Sequence, residues 1–135
     1  MTRIAIAGAA GRMGRNLIAA VHEATDATLA AAFEHAECSL LGSDAGELAG
    51  VGKKDVPITA DLAEKMDQFD VLIDFTLPEP TIANLELCRQ AQKPMVIGAT
   101  GLNDEQRSAV SAAANTIPLV FAPNYSIGVN LKLKL

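Results

Sequence analysis

The chain has 135 residues, of which 50% are hydrophobic, and a formal net charge of −5 at pH 7. This length favours one domain with a core of moderate size. An acidic chain without a basic cluster is a poor candidate for binding nucleic acid or an anionic membrane. No apolar run reaches the roughly 20 residues needed to span a bilayer, and no signal peptide opens the chain, so we expect a cytoplasmic protein.

Short apolar runs alternate with helical patterns along the chain. The first run, residues 4–7, predicts a buried strand, and the apolar spacing in 11–23 predicts a helix after it. Residues 28–33 predict a second strand. The glycine-rich segment 34–58 has no clear period, and structureless stretches of that length are usually functional or mobile, so we predict a loop over a ligand site.

The second half of the chain continues the alternation. Asp61 is predicted to cap a short helix, and a proline-started helix is predicted at 77–92. Asn103, with Gln106 three residues later, resembles a capping box that opens a helix ending at Asn115. Three further strands are predicted at 69–75, 94–98 and 118–122.

This alternation predicts the fold class, because parallel strands need crossover connections, which helices usually supply. We predict an α/β protein, a Rossmann-like doubly wound parallel sheet with helices on both faces. Residues 1–135 are predicted to form one dinucleotide-binding domain.

Cysteines and histidines are too few and too scattered to predict a metal site. Cys38 and Cys88 lie fifty residues apart without a Cys-x-x-Cys motif, and His22 and His35 are the only histidines. We predict reduced thiols, no disulfide and no bound metal.

Three glycines mark the turn between the first strand and the first helix. In this turn, backbone N–H groups at a helix N-terminus attract phosphate. Gly8 would allow the tight turn, Gly11 the approach of a pyrophosphate, and Gly14 close packing of helix on strand. The alternative is a packing turn with no ligand, since the spacing differs by one residue from G-x-G-x-x-G.

An acidic residue follows the second strand, where a dinucleotide site places the carboxylate that binds ribose hydroxyls. Glu34 stands there, twenty residues after Gly14. His35 follows it, where an arginine would hold the 2′-phosphate of NADP; histidine is a weaker partner, only partly charged near neutral pH. Solvated loop side chains are the alternative for both residues.

Two further strand ends carry small and polar residues, "GATG" at 98–101 and "APNYS" at 122–126. Ligands of open α/β sheets bind at the carboxyl ends of strands, so these segments are candidates to contact a nicotinamide, although each is compatible with an ordinary turn.

No catalytic residue is predicted. A reductase needs a positioned proton donor, and Tyr125, the only tyrosine, is followed by Val129 and not by the lysine of a Tyr-x-x-x-Lys motif.

Together, the segments "IAIAGAAGRMGRNL", "SLLGSDAGELAG", "VLIDFTLPE", "VIGATG" and "FAPNYSIGVN" resemble the dihydrodipicolinate reductases, also called 4-hydroxy-tetrahydrodipicolinate reductases. The resemblance runs along essentially the whole chain in the right order. It implies NADH or NADPH as cofactor and reduction of a cyclic intermediate of lysine and diaminopimelate biosynthesis.

The resemblance also assigns residues. Glu34 would bind the adenine ribose, His35 would face a 2′-phosphate, and Thr100 would also touch substrate. Phe75 and Thr76 would wall the cofactor. The pyrophosphate would be held by Gly8, Ala9, Ala10, Gly11, Arg12 and Met13, and the nicotinamide lined by Gly98, Ala99, Thr100, Ala122, Pro123, Asn124 and Tyr125.

The chain departs from the family pattern at two points. Family members commonly have arginine where this chain has His35, and they continue into a second domain that supplies the proton donor and builds a homotetramer. Residues from about 124 to 135 would begin the connection to that domain, so we expect the 135-residue chain to bind cofactor but to be inactive. The alternatives are a dinucleotide- or CoA-binding regulatory module without chemistry and a different dehydrogenase of the same architecture.

Overall fold

Six parallel strands form the sheet in the computed structural model, which describes residues 1–121. The strand order is β3-β2-β1-β4-β5-β6. The strands are β1 (Thr2–Ala7), β2 (Ala27–Phe33), β3 (Ile58–Thr59), β4 (Val71–Asp74), β5 (Met95–Ile97) and β6 (Leu119–Phe121). The helices are α1 (Arg12–Glu23), α2 (Ala45–Leu48), α3 (Pro78–Ala91) and α4 (Asp104–Ala113), with a 3-10 helix at Leu62–Gln68.

The two faces of the sheet bury separate apolar clusters, because successive side chains of a strand point in opposite directions. In β1, Ile4 and Ile6 pack under α1, while Ala5 and Ala7 belong to the other cluster. That second cluster also contains apolar side chains of α3 and α4, among them Leu85. Helices therefore cover both faces, and the predicted fold class is confirmed.

The order of the strands determines where a ligand can bind. β1 pairs with β2 on one side and with β4 on the other. The chain adds β2 and β3 on one side of β1 and then crosses to β4 on the other side. In open α/β sheets, the loops separate at such a point and leave a crevice outside the carboxyl ends of the strands. Ala7, Phe33 and Asp74 end the three strands that meet there.

The segment 34–58, predicted to be a loop over a ligand site, is an organised connection. It contains α2 and ends in β3, a sixth strand that the sequence did not predict and that pairs with Ala32 and Phe33 of β2. α2 packs near α1, and only the first residues of the segment, Glu34 to Ala36, line the crevice. A strand of two residues carries no detectable alternation of apolar and polar side chains.

Asp44 organises this connection. Its carboxylate accepts hydrogen bonds from the backbone N–H groups of Glu47 at 3.0 Å, Lys54 at 2.9 Å and Val56 at 2.9 Å. Partial burial works against the charged form, but the backbone hydrogen bonds outweigh it, and the pKa of Asp44 is lowered. Asp61 begins the 3-10 helix as predicted, but its side chain makes no capping hydrogen bond.

Asp44→Ala is expected to lower the free energy of unfolding by about 1–2 kcal/mol at pH 7, the upper part of the range for losing an N-cap side chain, because the N–H groups of Lys54 and Val56 also lose their acceptor. Because the pKa of Asp44 is lower in the folded protein, its contribution is complete well above the unfolded pKa of about 3.9 and is lost as the pH falls from there through the folded pKa. Urea unfolding of both proteins at pH 7 and pH 3.5 measures this, and the difference between them should be smaller at pH 3.5. Asp61→Ala is the matched control and should stay within about 0.5 kcal/mol of the wild type; an equal loss from both variants would refute the assignment.

None of the helices within residues 1–121 is both long enough and apolar enough to span a bilayer.

Candidate functional site

A cleft of about 570 Å³ opens at the carboxyl ends of β1, β2 and β4, at the crevice described above. Most of its wall is apolar, with a few polar side chains placed around it, which is the usual composition of a small-molecule site. The cleft is lined by Ala7, Gly8, Gly11, Phe33, Glu34, His35, Ala36, Ala60, Leu62, Phe75, Thr76, Leu77, Pro80, Ala83 and Asn84.

The glycine turn, residues 8–11 between β1 and α1, contributes Gly8 and Gly11 to the lining of the cleft. Gly8 has a φ of +86°, a left-handed conformation that favours glycine. The N–H groups of Gly8 and Ala9 both donate to the carbonyl oxygen of Phe33, at 2.9 and 3.1 Å. The turn is thereby fixed to the end of the neighbouring strand before α1 begins.

The other two glycines of the motif have different surroundings. A Cβ on Gly14 would lie 2.1 Å from the carbonyl oxygen of Gly8 and 2.7 Å from the Cα of Ala9, so α1 approaches the turn too closely for any side chain. A Cβ on Gly11 would meet only the Gly8 oxygen, at an ordinary 3.4 Å. Gly11 has a φ of −75°, which any residue adopts. Internal packing therefore explains Gly14 but not Gly11.

The N-terminus of α1 points its uncapped end at this turn. Gly11 occupies the N-cap position and has no side chain to accept from the first N–H groups, and no acidic residue lies in the first turn. Arg12 is exposed and Met13 is half-buried. The first N–H groups of a helix lack intrahelical partners and carry partial positive charge, so this end suits an anionic group.

Glu34 reaches from the end of β2 to the glycine turn. Its Oε2 accepts from the N–H of Ala10 at 2.9 Å, and its Oε1 accepts from the N–H of His35 at 3.3 Å. Glu34 is half-buried and His35 is exposed. A carboxylate here can accept hydrogen bonds from hydroxyl groups of a ligand that lies along the cleft.

The second predicted group of residues lies beyond Phe75. The N–H of Gly98 donates to the carbonyl oxygen of Asp74 at 2.8 Å, which fixes the end of β5 beside the end of β4. The ring of Phe75 lies so close to Gly98 that a Cβ there would be 1.8 Å from Cε1. Ala99 is buried and Thr100 exposed. Phe75, which lines the cleft, therefore separates it from Gly98.

The structure thus brings Gly8, Gly11, Glu34 and His35 together around one cleft, with Ala10 bound to Glu34. The candidates Ala122, Pro123, Asn124 and Tyr125 lie outside the described residues.

Sequence reasoning missed Asp74, which supports the wall of the cleft. Its side chain is fully buried. Its Oδ1 accepts from the Thr76 N–H at 2.8 Å and from the hydroxyls of Thr76 and Thr81, at 2.6 and 3.1 Å. Its Oδ2 accepts from the Asn84 amide at 2.8 Å. Two of these partners, Thr76 and Asn84, line the cleft. The feature of the sequence that could have indicated Asp74 is an acidic residue at the end of an otherwise apolar strand.

A family model described as "Dihydrodipicolinate reductase, N-terminus" matches residues 2–125 of the chain. Among solved structures, a dipicolinate-bound dihydrodipicolinate reductase from Paenisporosarcina sp. TG-14 is 29% identical, with a TM-score of 0.72. The match covers 94% of this chain and 49% of that one, so the chain spans about half the length of that relative.

Two more distant structures share the fold. An oxidoreductase from Agrobacterium radiobacter in complex with NAD+, L-tartaric acid and magnesium is 20% identical, with a TM-score of 0.68 over 89% of this chain and 34% of that one. Aspartate semialdehyde dehydrogenase with NADP from Candida albicans is 13% identical, with a TM-score of 0.66 over 95% and 44% of the two chains.

Proposed function

The chain belongs to the dihydrodipicolinate reductase family and corresponds to the N-terminal, NAD(P)H-binding domain of its members, and we propose that the whole protein reduces the dihydrodipicolinate-type intermediate to tetrahydrodipicolinate in lysine and diaminopimelate biosynthesis. The observation that carries this proposal is that the family match spans both the glycine turn and Glu34, which lie on one cleft. A turn needed only for packing would not explain Gly11.

We place the dinucleotide along the cleft with its pyrophosphate at the N-terminus of α1. Gly11 leaves room for the phosphates, and the uncapped N–H groups there attract their charge. Glu34 would accept from the adenine ribose hydroxyls, and the 2′ position would face His35. The nicotinamide would extend past Phe75 toward Gly98, Ala99 and Thr100, with Thr100 also in reach of substrate.

The bound dinucleotide would supply the hydride, while the reduced product also needs a proton from a positioned acid. Within residues 1–121, the ionisable groups that line the cleft are Glu34 and His35. Both belong to the adenosine end of the placement above, far from the transferred hydride. The family pattern takes this proton from a second domain, so we expect the 135-residue chain to bind NADH and to reduce nothing by itself.

Titrating NADH into the chain by calorimetry, followed by an assay with freshly prepared dihydrodipicolinate, tests both parts of this expectation. We expect saturable binding without turnover. Absence of binding at millimolar NADH would refute the dinucleotide site, and turnover by this chain alone would refute the inference about the proton donor.

His35→Arg is expected to tighten NADPH binding by about tenfold or more and to change NADH binding little. Arginine offers the 2′-phosphate a bidentate charged contact, and such hydrogen bonds contribute roughly 1.5–3 kcal/mol. Histidine has no such fork, so we expect the unaltered chain to bind NADH at least as well as NADPH.

Dissociation constants of both cofactors at one ionic strength measure this effect. His22→Arg is the matched control, because His22 is exposed at the other end of α1 and the substitution adds the same charge. An equal gain in NADPH affinity from both variants would mean that the overall charge of the protein, and not a contact at position 35, strengthens the binding of the 2′-phosphate.

A further inference from the structure

Three side chains of types that bind metal ions lie close together just after the end of β2. A carboxylate oxygen of Glu34, an imidazole nitrogen of His35 and the Sγ of Cys38 all lie within 4.8 Å of one another. The backbone brings them together, because the N–H of Cys38 donates to the carbonyl oxygen of His35 at 3.1 Å and closes a turn. The spacing of cysteines and histidines did not predict this cluster, because its third member is the carboxylate of Glu34.

The three ligands differ in type, and their combination selects a class of cation. Thiolate and imidazole suit zinc, cobalt and similar ions, whereas magnesium and calcium prefer oxygen ligands. Zinc binds sulfur at about 2.3 Å and nitrogen or oxygen at about 2.0–2.2 Å, so tetrahedral ligands lie roughly 3.3–3.7 Å apart. Small side-chain rotations would bring these three atoms from within 4.8 Å to that spacing.

We propose that Glu34, His35 and Cys38 form a binding site for a thiophilic divalent cation such as Zn²⁺, and that the cation and the dinucleotide exclude each other. Cys38 and His35 are accessible, being half-buried and exposed. The other thiol, Cys88, is no competitor, because burial raises its pKa to about 12 and keeps it protonated.

Exclusion follows from the double use of Glu34, and this part rests on the proposed function. The carboxylate that would accept from the adenine ribose is also a ligand of the cation, and the His35 that would face the 2′ position is another. In this structure, the Glu34 carboxylate accepts a hydrogen bond from the Ala10 N–H at 2.9 Å. A cation that draws the carboxylate toward Cys38 also breaks this hydrogen bond. Each ligand must then weaken the other by the same factor.

Cobalt(II) added to the reduced protein without dinucleotide tests the cation site alone. We expect one equivalent to bind with the intense near-ultraviolet absorption of a cobalt–thiolate bond, and Zn²⁺ to displace it. Cys38→Ser should abolish this absorption and weaken Zn²⁺ at least about tenfold, the size of effect seen even for changes beside a metal ligand. Cys88→Ala and His22→Asn are the controls and should keep both signals. Absence of the band, or its survival in Cys38→Ser, would overturn the site.

Titration of NADH with and without saturating Zn²⁺ tests exclusion. At a Zn²⁺ concentration that saturates the wild type but not Cys38→Ser, we expect the apparent dissociation constant of NADH to rise at least about tenfold in the wild type and much less in Cys38→Ser. Without Zn²⁺ both proteins should bind NADH equally, since Cys38 does not line the cleft. Unchanged NADH affinity with the cobalt band intact would overturn exclusion. If NADH bound neither protein, the proposed function and exclusion would both fail, while the cobalt result would still decide the cation site.

Discussion

Gly14→Ala is expected to lower the free energy of unfolding by about 3 kcal/mol or more. Overpacking usually costs about 1–3 kcal/mol, and more where the obstruction cannot move. Here the new methyl carbon would lie 2.1 Å from the carbonyl oxygen of Gly8 and 2.7 Å from the Cα of Ala9, which are backbone atoms. Alanine is favoured over glycine inside a helix by about 1 kcal/mol, so this gain cannot offset the clash.

Urea unfolding measures the loss, with Gly11→Ala as the matched control. A Cβ at position 11 meets only ordinary contact at 3.4 Å. The control should lose no more than about 1 kcal/mol, the usual cost of alanine at an N-cap. A Gly14→Ala protein within about 1 kcal/mol of the wild type would show that helix and turn can separate without penalty.

The spacing of the three glycines predicted their location but could not separate their roles by itself. A sequence shows that small residues recur between a strand and a helix, and the Rossmann pattern then suggests a role for each. The distances from each hypothetical Cβ distinguish a glycine required by packing, Gly14, from one that packing leaves free, Gly11. Only the second kind of glycine points to a ligand.

Long, strongly patterned elements were predictable, and so was the fold class. The capping box at Asn103 and Gln106 forms as predicted because it is a local interaction between neighbours in sequence. The features that the sequence did not predict depend on contacts between residues distant in sequence or on very short elements. β3 has two residues, and Asp44 meets Lys54 and Val56 only after the connection has folded back.

The site shows the same division between local and distant information. The position of Glu34 directly after β2 follows from the strand predicted at 28–33. Its contact with Ala10, its proximity to Cys38 and the burial of Asp74 depend on how loops meet at the crevice. No periodicity in the sequence encodes these contacts.

Gly11→Val is expected to weaken NADH binding by about 100-fold or more while the fold survives. Gly11 lines the cleft, and its φ of −75° and extended ψ of 170° accommodate a β-branched residue. In the proposed placement, the valine side chain occupies the approach of the pyrophosphate to the N-terminus of α1. Losing two charge-assisted hydrogen bonds there removes roughly 3–6 kcal/mol, and about 1.4 kcal/mol corresponds to each tenfold change in affinity.

Calorimetric titration of NADH, with circular dichroism and urea unfolding of the same samples, separates binding from stability. Gly11→Ala should lie between the wild type and Gly11→Val in affinity, because one methyl group intrudes less than three carbons do. Gly14→Ala should show the opposite pattern, with a large loss of stability that accounts for any loss of binding. If Gly11→Val kept native unfolding and unchanged NADH affinity, the glycine turn would be a packing device, and the dinucleotide would have to bind away from α1.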